Sequence, residues 1–426
     1  MNNVVTIVMG GGKGTRLYPL TADRAKPAVP FGAKFRLVDI PLSNSIAANF
    51  KKIYVLTQFN TASLHLHIGN TYIFDTFTRG FVEILAAEQT LSHSSGWYEG
   101  TADAVRKNLV HFRTQKPTHY LILSGDQLYR MDLQDFFQQH VQSGADASVA
   151  VLPVTREDAT GFGILTVDTK KRIKKFTEKP PIEQDISRLR LPRTLAASLK
   201  NYEEGKDYLA SMGIYIFNAE ALEAALANAD ADFGKQVIPA LIEKRHVNAY
   251  FFSGFWEDIG TIRSYYETNL SLADIHPAFN LYDEDMPIYT QRRDLAPSKL
   301  NSCTISRSLA ADGCIVTQST VTRSVIGIRT IIKEDCELDG VICLGADYYD
   351  EPGPTRTEEG LPLPPIGIGR GCRIRSTIID KNARIGEGCT IGWDGMPEDG
   401  EYDRYYVRDG IIIIPKNGHI PAGTVI

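Results

Sequence analysis

Aliphatic residues recur at a spacing of six in the last part of the chain. Ile326, Ile332 and Leu338 form one series, and a second series begins at Ile379 and Ile385, with turn glycines between them. A rung of six residues with one inward aliphatic side chain is typical of a parallel β-helix built from hexapeptide repeats. An antiparallel sandwich, the alternative, would show alternation with period two and wider turn spacing. The spacing therefore predicts a solenoid after residue 300.

The first 290 or so residues have a different pattern. Short apolar, β-branched runs alternate with longer amphipathic stretches, which predicts βαβ units around a mostly parallel sheet. The candidate strands cover residues 4–8, 53–57, 120–124, 147–152, 213–217 and 249–252. In open α/β sheets, ligands collect at the carboxyl ends of the strands. We expect two domains, 1–290 and 291–426, joined by a connector at residues 287–297.

Charge and cysteine content exclude several functions. The chain has 46 basic and 51 acidic residues, a net charge of −5, so it lacks the basic field that nucleic acid or an anionic membrane would require. The apolar run at residues 4–9 is too short for a signal peptide or a membrane span, and we expect a cytoplasmic protein. All six cysteines follow residue 300 without a C-x-x-C pair, which predicts buried free thiols and not a zinc knuckle.

A glycine-rich loop follows the first candidate strand. Residues 10–17 read GGGKGTRL. Successive glycines let backbone N–H groups turn towards an anion, and the guanidinium of Arg16 can hold phosphate oxygens bidentately. Lys13 is followed by Gly14 where a Walker A motif needs Ser or Thr, and Thr15 and Leu17 break the dinucleotide-binding glycine pattern. The loop predicts a phosphate site that belongs neither to a P-loop kinase nor to a dinucleotide dehydrogenase.

Further motifs give this loop a family context. The loop followed by the string KPAV at residues 26–29 resembles the signature of nucleotide-sugar pyrophosphorylases. The strings WYEGTADAV, SGDQLYRMD, FTEKP, SMGIY and WEDIGT, which begin at residues 97, 124, 176, 211 and 256, resemble the ADP-glucose pyrophosphorylases, most closely the cyanobacterial and plant type. The resemblance covers both domains. It implies a Rossmann-like nucleotidyltransferase domain with a mostly parallel α/β sheet, followed by a left-handed parallel β-helix for regulation and assembly into a homotetramer.

The resemblance also implies a reaction. The adenylyl group of ATP passes to glucose 1-phosphate, giving ADP-glucose and pyrophosphate for α-glucan synthesis. Asp126 follows a candidate strand, so its carboxylate should project towards the glycine loop; the family makes it the main catalytic carboxylate and, with Asp258, a ligand of Mg²⁺. Arg16 and Lys26 would neutralise the leaving pyrophosphate, and Lys179 would hold the phosphate of glucose 1-phosphate.

The remaining site residues are likewise implied by the resemblance. The nucleotide is assigned to Gly10, Gly11, Gly12, Thr15, Arg16, Gln89, Gly100 and Thr101. The sugar is assigned to Tyr98, Gly163, Glu178 and Ser211, beside Lys179. Two positions depart from the family: Gln127 stands where His is usual, and Glu88 stands where close plant-type relatives have Thr. Gln127 removes a titrating group but leaves the two metal-binding carboxylates in place.

The second domain carries a candidate effector site. Lys381 and Lys416 stand in strings that resemble enzymes in which such lysines bind the activator 3-phosphoglycerate, and Arg293 resembles an arginine linked to inhibition by orthophosphate. Two lysines and an arginine can bind a small dianion between domains; the alternative is three solvated cations. Asp23, where enzymes activated by fructose bisphosphate carry a basic residue, argues against that effector.

Three other functions stay open at this point. A hexapeptide β-helix with a catalytic His is typical of acyltransferases, although His419 is the sole histidine after residue 300. The second possibility is a UDP- or GDP-sugar pyrophosphorylase. The third is a non-catalytic regulatory subunit, which should have lost Asp126, Arg16 or Lys179; all three are present.

Overall fold

The computed structural model describes residues 3–87, 97–197, 199, 202–351, 353, 356, 362–393 and 395–426. Its α-helices are α1 (Asp39–Ala47), α2 (Ala62–Thr71), α3 (Thr101–Arg113), α4 (Leu133–Ser143), α5 (Arg193–Ala196), α6 (Ala219–Ala225), α7 (Ile238–Lys244) and α8 (Ile262–Ser271). Short 3-10 helices cover Thr15–Leu17, Lys26–Ala28, Asp158–Gly161 and Ser187–Leu189, and a π-helical turn covers Phe233–Val237.

Strands of the first domain alternate with these helices. They are β1 (Val4–Gly10), β2 (Pro30–Phe31), β3 (Phe35–Arg36), β4 (Lys52–Thr57), β5 (Phe81–Ala86), β6 (His119–Ser124), β7 (Gln127–Tyr129), β8 (Ala147–Val154), β9 (Gly163–Val167), β10 (Ile173–Glu178), β11 (Tyr208–Asn218), β12 (Val247–Phe251) and β13 (Trp256–Asp258). Each of the six predicted strands is present; five have wider bounds, and the strand predicted at residues 249–252 is β12, which begins two residues earlier and ends one residue earlier. Strand β5, the β9–β10 hairpin and the small β2–β3 and β7–β13 pairs were not predicted.

The main sheet has the order β10-β9-β11-β6-β1-β4-β5, and β8 pairs with both β11 and β12. Strands β6, β1, β4 and β5 are parallel neighbours. Strands β10 and β11 run against the direction that the other strands of this sheet share. The predicted mostly parallel sheet is confirmed, with the candidate strand at residues 213–217 inside the reversed strand β11.

Strand β1 shows why the sheet lies inside the domain. Val5 and Ile7 pack into one hydrophobic core, while Val4 and Val8 pack into another on the opposite face. A strand covered on both faces needs apolar residues in a continuous run, and this one has them. The loops at the carboxyl ends of β1 and β6 are consequently held by a rigid support.

The second domain consists of short strands. They are β14 (Lys299–Asn301), β15 (Thr304–Ser306), β16 (Leu309–Ala310), β17 (Ile315–Thr317), β18 (Thr320–Thr322), β19 (Val325–Ile326), β20 (Ile331–Ile332), β21 (Glu337–Cys343), β22 (Gly367–Ile368), β23 (Arg373–Ile379), β24 (Arg384–Ile385), β25 (Thr390–Ile391), β26 (Gly400–Glu401), β27 (Tyr406–Arg408), β28 (Ile411–Ile414) and β29 (His419–Ile420). Successive rungs pair in parallel, as in β14-β17-β20-β22-β24-β29. The predicted β-helix is confirmed, and the antiparallel sandwich is wrong.

Cysteines form part of the β-helix interior. Cys336, Cys372 and Cys389 precede strands that pair in register, so their side chains stack on successive rungs. All six thiols are free, and five are buried. Cys303 is half-buried because it lies on the first rungs, where the solenoid has no preceding rung to cover it. The prediction of buried thiols is therefore right for five positions and wrong for Cys303.

The two domains touch directly. The hydroxyl of Tyr266 on α8 donates a hydrogen bond of 2.5 Å to the carbonyl of Gly340 on β21. The predicted connector at residues 287–297 contains neither helix nor strand, and the backbone N–H of Tyr289 donates to Oγ of Ser43 on α1 at 2.8 Å. Within the described ranges, no helix combines the length and the apolar character needed to cross a membrane.

Candidate active site

The glycine loop turns sharply at Gly14. Its φ of +65° lies in the left-handed region, which glycine adopts without strain. A Cβ atom at Gly14 would lie 2.9 Å from Cγ2 of Thr21 and 3.0 Å from Cβ of Lys26. Both the backbone and the packing therefore require glycine here. The turn leads into the 3-10 helix Thr15–Leu17, whose middle residue is Arg16.

Asp126 lies just beyond the carboxyl end of β6, as its position in the sequence predicts. Oγ of Ser124 donates a hydrogen bond to one carboxylate oxygen, and Nζ of Lys26 lies 2.7 Å from the other. A Cβ atom at Gly125 would lie 2.7 Å from the carbonyl oxygen of Met9, so this turn also needs glycine. Burial by itself would raise the pKa of the Asp126 carboxyl, but Lys26 and the hydrogen bonds hold that pKa below its usual range.

A second carboxylate, Asp258, comes from late in the sequence of the first domain but lies near Asp126 in space. It lies on β13, which pairs antiparallel with β7, the strand that directly follows Asp126. Burial and the negative charge of Asp126 raise the pKa of Asp258. The positive charges of Lys26, Arg16 and Lys179 oppose this rise. All five charged groups are thus close enough to affect one another.

The two carboxylates suit a hard divalent cation. Magnesium prefers one or two carboxylates and completes its shell with water and substrate phosphates. A cation beside Asp126 and Asp258 would also relieve the repulsion that raises the pKa of Asp258. Among the residues that the structure describes, no group of three or more His, Cys, Asp or Glu side chains is arranged to hold a metal. The donors fit an ion shared with a bound ligand.

Glu178 ends strand β10 with its carboxylate between two glycines. A Cβ atom would lie 2.8 Å from Oε2 of Glu178 if added at Gly163, and 2.7 Å from it if added at Gly234. Burial raises the pKa of Glu178 and Asp232 adds to the rise, while Lys179 opposes it. Both glycines thus let the backbone approach this carboxylate closely. The half-buried carboxylate lines the cavity described below and can accept hydrogen bonds from ligand hydroxyl groups.

The backbone at Lys179 has φ +44°, which is uncommon for a residue with a side chain. Its N–H donates to the carbonyl of Phe162 at 3.0 Å, which fixes this conformation. On β11, which is separated from β10 by β9, the pairing with β8 shifts between Ser211 and Tyr215. An unusual backbone angle and a shift in strand pairing both change the direction of side chains, and both are frequent at functional sites.

One open cavity of about 290 Å³ collects these groups. The predicted site residues that line it are Arg16, Lys26, Thr101, Asp126, Gly163, Glu178, Lys179, Ser211 and Asp258. They come from eight separate places along the chain, half of them at strand ends. The structure thus brings together every residue predicted to act in catalysis or metal binding, and most of those predicted for the sugar.

Other predicted contacts lie beside the cavity. Five residues predicted to contact the nucleotide are not among the lining residues: Gly10, Gly11, Gly12, Thr15 and Gly100. Three of them, Gly10, Thr15 and Gly100, directly adjoin a lining residue in the sequence. Tyr98 does not line it either: its backbone N–H donates to Gln58 at 2.7 Å, and its hydroxyl accepts from Asn108 at 3.0 Å. The structure therefore does not bring Tyr98 to the sugar side. Gln89 and Glu88 lie outside the described residues.

Sequence analysis missed two features of this cavity. Asp232 lines it and accepts a hydrogen bond from Oγ1 of Thr101 at 3.3 Å. It is the residue directly before the helical turn Phe233–Val237, where its carboxylate also accepts a hydrogen bond from the backbone N–H of Lys235; an Asp at such a capping position was the available sequence signal. The indole N–H of Trp256 donates to Oε1 of Gln127 at 3.2 Å, which orients that amide at the cavity wall. Gln127 thus replaces the usual titrating group with a fixed neutral one.

This arrangement can hold two phosphate-bearing ligands side by side, because three cations from separate parts of the chain, Arg16, Lys26 and Lys179, share one cavity with the carboxylate pair. The sequence pattern of nucleotidyl transferases matches residues 5–275 of the 426-residue chain. The chain belongs to the nucleotidyl transferase family. The pattern of the GLGC left-handed parallel beta-helix domain matches residues 293–425. The predicted order of a nucleotidyltransferase domain and then a left-handed β-helix is confirmed.

A second group of cations lies where the nucleotidyl transferase domain meets the β-helix. Lys381 and Lys416 occupy equivalent places on adjacent rungs, since Ile379 on β23 pairs with Ile414 on β28. Nζ of Lys381 contacts Oδ1 of Asp347 at 2.5 Å, although burial lowers the pKa of this lysine to about 8. The charge of Lys416 also helps to lower the pKa of Asp347. Asp347 therefore interacts with both lysines: it forms an ion pair with Lys381 and is close enough for the charge of Lys416 to affect it.

Arg293 belongs to the same group. It lines a narrow cleft together with Lys381 and with Arg36 of the nucleotidyl transferase domain, a residue that sequence analysis missed. Burial lowers the pKa of Arg293, and it lowers that of Arg36 to about 10. The alternative interpretation was that Arg293, Lys381 and Lys416 are three solvated cations. It is wrong for Lys381, which is only 8% exposed.

His419, the residue on which an acyltransferase would depend, has an unfavourable environment. Its Nε2 lies 2.5 Å from Nη1 of Arg404. Burial and the charge of Arg404 lower the pKa of this imidazole. An imidazole that faces a guanidinium is poorly suited to remove a proton from a thiol or hydroxyl group. Nothing in the geometry favours acyl transfer.

Proposed function

We propose that this nucleotidyl transferase makes ADP-glucose from ATP and glucose 1-phosphate. A phosphate oxygen of glucose 1-phosphate attacks the α-phosphorus of ATP in line. The bond between that phosphorus and the oxygen bridging to the β-phosphate breaks, and pyrophosphate leaves. No covalent intermediate with the protein forms. The site therefore has to hold two polyanions together and to stabilise charge on the leaving group.

One observation carries this proposal: a single cavity contains Asp126 and Asp258 together with three cations from separate parts of the chain. Arg16 and Lys26 come from the glycine loop and the segment after it, and Lys179 comes from the end of β10. Two phosphate groups can thus be neutralised separately while their reacting atoms meet near the carboxylates. A binding protein for one phosphorylated ligand would not need this arrangement.

The residues have distinct tasks. Lys26, whose ammonium contacts Asp126 at 2.7 Å, moves to the phosphates when nucleotide binds, and Arg16 supports it at the pyrophosphate. Lys179 binds the phosphate of glucose 1-phosphate. Glu178 and Asp232 accept hydrogen bonds from sugar hydroxyls. Because sugar and nucleotide have separate contacts, each can be orientated independently for in-line attack.

Magnesium is the cofactor that this site implies. Asp126 and Asp258 would hold it, with substrate phosphates and water as the other ligands. When bound, it supplies charge stabilisation on the phosphate oxygens. Asp126 is suited to this role because its low pKa keeps it ionised.

The proposed activity is tested by mixing the protein with glucose 1-phosphate, Mg²⁺ and one of ATP, UTP, GTP or dTTP, and by measuring pyrophosphate release. We expect ATP to give by far the largest kcat/KM. A preference for UTP or GTP would make the chain another nucleotide-sugar pyrophosphorylase. Absence of turnover with all four would identify a non-catalytic subunit instead.

The cations between the domains suit a small phosphorylated effector. We propose 3-phosphoglycerate as activator and orthophosphate as inhibitor, bound at Arg293, Lys381 and Lys416, in a homotetramer assembled through the β-helix. The support is the shared carboxylate: Asp347 pairs with Lys381 at 2.5 Å and is exposed over 43% of its side chain. A dianion that arrives from the solvent can therefore reach the ion pair and displace Asp347 from Lys381.

Replacing Lys381 or Lys416 with Ala should raise the 3-phosphoglycerate concentration needed for half-activation by about tenfold or more, because each removes a charge-assisted contact. The kcat without activator should stay nearly unchanged, since neither side chain lines the catalytic cavity. Lys333→Ala is a matched control: this lysine is on the same β-helix and faces Glu387 at 3.7 Å. An equal loss in the control would contradict the assignment.

Activation should also depend on pH. The pKa of Lys381 is about 8, so its ammonium is present below that pH and lost above it. The phosphate ester is already a dianion here, because its second pKa is about 6. Half-activation should need more 3-phosphoglycerate as the pH rises from 7 to 9, and the Lys381→Ala variant should show a flatter profile. Parallel profiles for both proteins would contradict a role for this lysine.

A further inference from the structure

The segment between Arg16 and Lys26 is fastened to the β-helix domain. Nη1 of Arg24 donates to both carboxylate oxygens of Asp380, each at 2.9 Å. The two side chains are 5% and 2% exposed, so the ion pair is almost fully buried between the domains. The same segment makes a second, exposed contact with this domain through the hydroxyl groups of Tyr18 and Tyr406, which lie 3.2 Å apart.

Each partner of the buried pair adjoins a different group of cations. Arg24 precedes Lys26 by two residues, and Lys26 holds Asp126 in the catalytic cavity at 2.7 Å. Asp380 adjoins Lys381, whose backbone N–H donates to Oδ1 of Asp380 at 2.6 Å. A short, continuous series of contacts therefore links the effector lysine to the catalytic carboxylate.

Domain adhesion alone does not explain a pair of this kind. Removing two charges from water is costly, and replacing a buried ion pair with apolar residues of similar volume is often neutral or stabilising. Here the cost is higher still, because Nη2 of Arg24 is buried without a hydrogen-bond partner. The two domains also share one apolar core, to which the β-helix contributes Val325, Ile342 and Ile378, so apolar contacts hold the domains together beside the ion pair.

We propose that the Arg24–Asp380 pair transmits effector binding at Lys381 to the position of Lys26 in the catalytic cavity. The inference rests on the proposed effector site. An anion that draws Lys381 away from Asp347 moves the turn that carries Asp380. Arg24 follows because its charge has no other carboxylate partner among the described residues. Arg24 and Asp380 are thus positioning residues and touch neither substrate.

The test compares three variants with the wild type. Asp380→Asn keeps the shape but leaves the Arg24 charge unpaired, which can unfold the chain. The double variant Arg24→Met/Asp380→Leu removes both charges and fills the same space. Tyr266→Phe is the matched control, because it deletes a different buried contact between the domains, the bond of 2.5 Å to Gly340. Circular dichroism and thermal melting establish folding for each protein.

Two readouts separate transmission from binding. The first is the activation of turnover by 3-phosphoglycerate and its inhibition by orthophosphate; the second is the Kd of 3-phosphoglycerate, by calorimetry, with and without nucleotide. Coupled sites typically affect each other about fivefold to 150-fold, and the effect on affinity is reciprocal. In the double variant we expect activation below about twofold, an unactivated kcat within about threefold of wild type, and a Kd that no longer responds to nucleotide.

The possible results are distinguishable. A double variant that keeps wild-type activation overturns the inference while the proposed function stands. Equal loss of coupling in Tyr266→Phe also overturns it, since any weakening of the domain contact would then suffice. If neither anion changes the rate or binds to the wild type, the effector site fails and the inference with it. Preference for a nucleotide other than ATP changes the proposed reaction but not this test, which then uses that nucleotide.

Discussion

We expect Asp126→Asn to fold and to bind nucleotide, but with a kcat about 10²- to 10³-fold lower than that of the wild type. The amide matches the carboxylate in size, so the loop after β6 keeps its shape. It removes the charge that faces both the predicted metal position and Lys26, and loss of one preorganised electrostatic contact typically has an effect of this size. Steady-state kinetics give kcat, and calorimetry gives nucleotide affinity.

Asp132→Asn is the control for this variant. Asp132 lies on the same stretch of chain and accepts hydrogen bonds from the backbone N–H groups of Gln134 and Asp135 at the start of α4, a position that Asn also suits. It does not line the catalytic cavity. We expect it to keep wild-type turnover. Near-normal kcat in Asp126→Asn would mean that the catalytic centre has been placed wrongly.

Lys179→Ala should raise KM for glucose 1-phosphate by about ten- to a hundredfold and change KM for ATP little. The side chain lines the cavity, where we propose that it binds the phosphate of glucose 1-phosphate, and a hydrogen bond to a charged group contributes about 1.5–3 kcal/mol. The measurement is a kinetic series in which each substrate is varied at saturating concentrations of the other.

Lys175→Ala is the matched control, because Lys175 lies on the same strand, is exposed and does not line the cavity. It should leave both KM values near those of the wild type. A Lys179→Ala variant that weakens ATP and glucose 1-phosphate equally would show that this lysine belongs to the shared centre of the site.

The architecture could be predicted from the periodicity of the sequence, because the burial of side chains at regular positions produces that periodicity. Ile332, Ile385 and Ile391 are fully buried at the predicted six-residue spacing, since each rung has one inward position. Strand β5 escaped detection because only its pairing with β4 at one edge identifies it: its residues are at most half-buried. The reversal of β11 was also beyond reach, because an apolar run does not encode its direction.

The residues of the candidate site also fall into two groups, those that could be predicted from the sequence and those that could not. Asp126 and Arg16 could be predicted because each follows a strand with glycines that no other residue could replace. Asp232 and Arg36 could not, because Asp232 resembles an ordinary helix cap and Arg36 lies on the two-residue strand β3, and each gains its role through residues distant in sequence. Tyr98 shows the opposite case: its motif matches the family, yet hydrogen bonds hold it beside the cavity. Pairing between Arg24 and Asp380, 356 residues apart, leaves no local signal.

The register between β23 and β28 bears on how such a chain can evolve. Lys381 and Lys416 are 35 residues apart and yet adjacent in space. In a solenoid each rung depends only on its neighbours. Turn residues can therefore be exchanged, or excursions between rungs lengthened, without disturbing the catalytic sheet. The proposed effector contacts can therefore change one rung corner at a time, whereas Asp380 and Arg24 would have to change together.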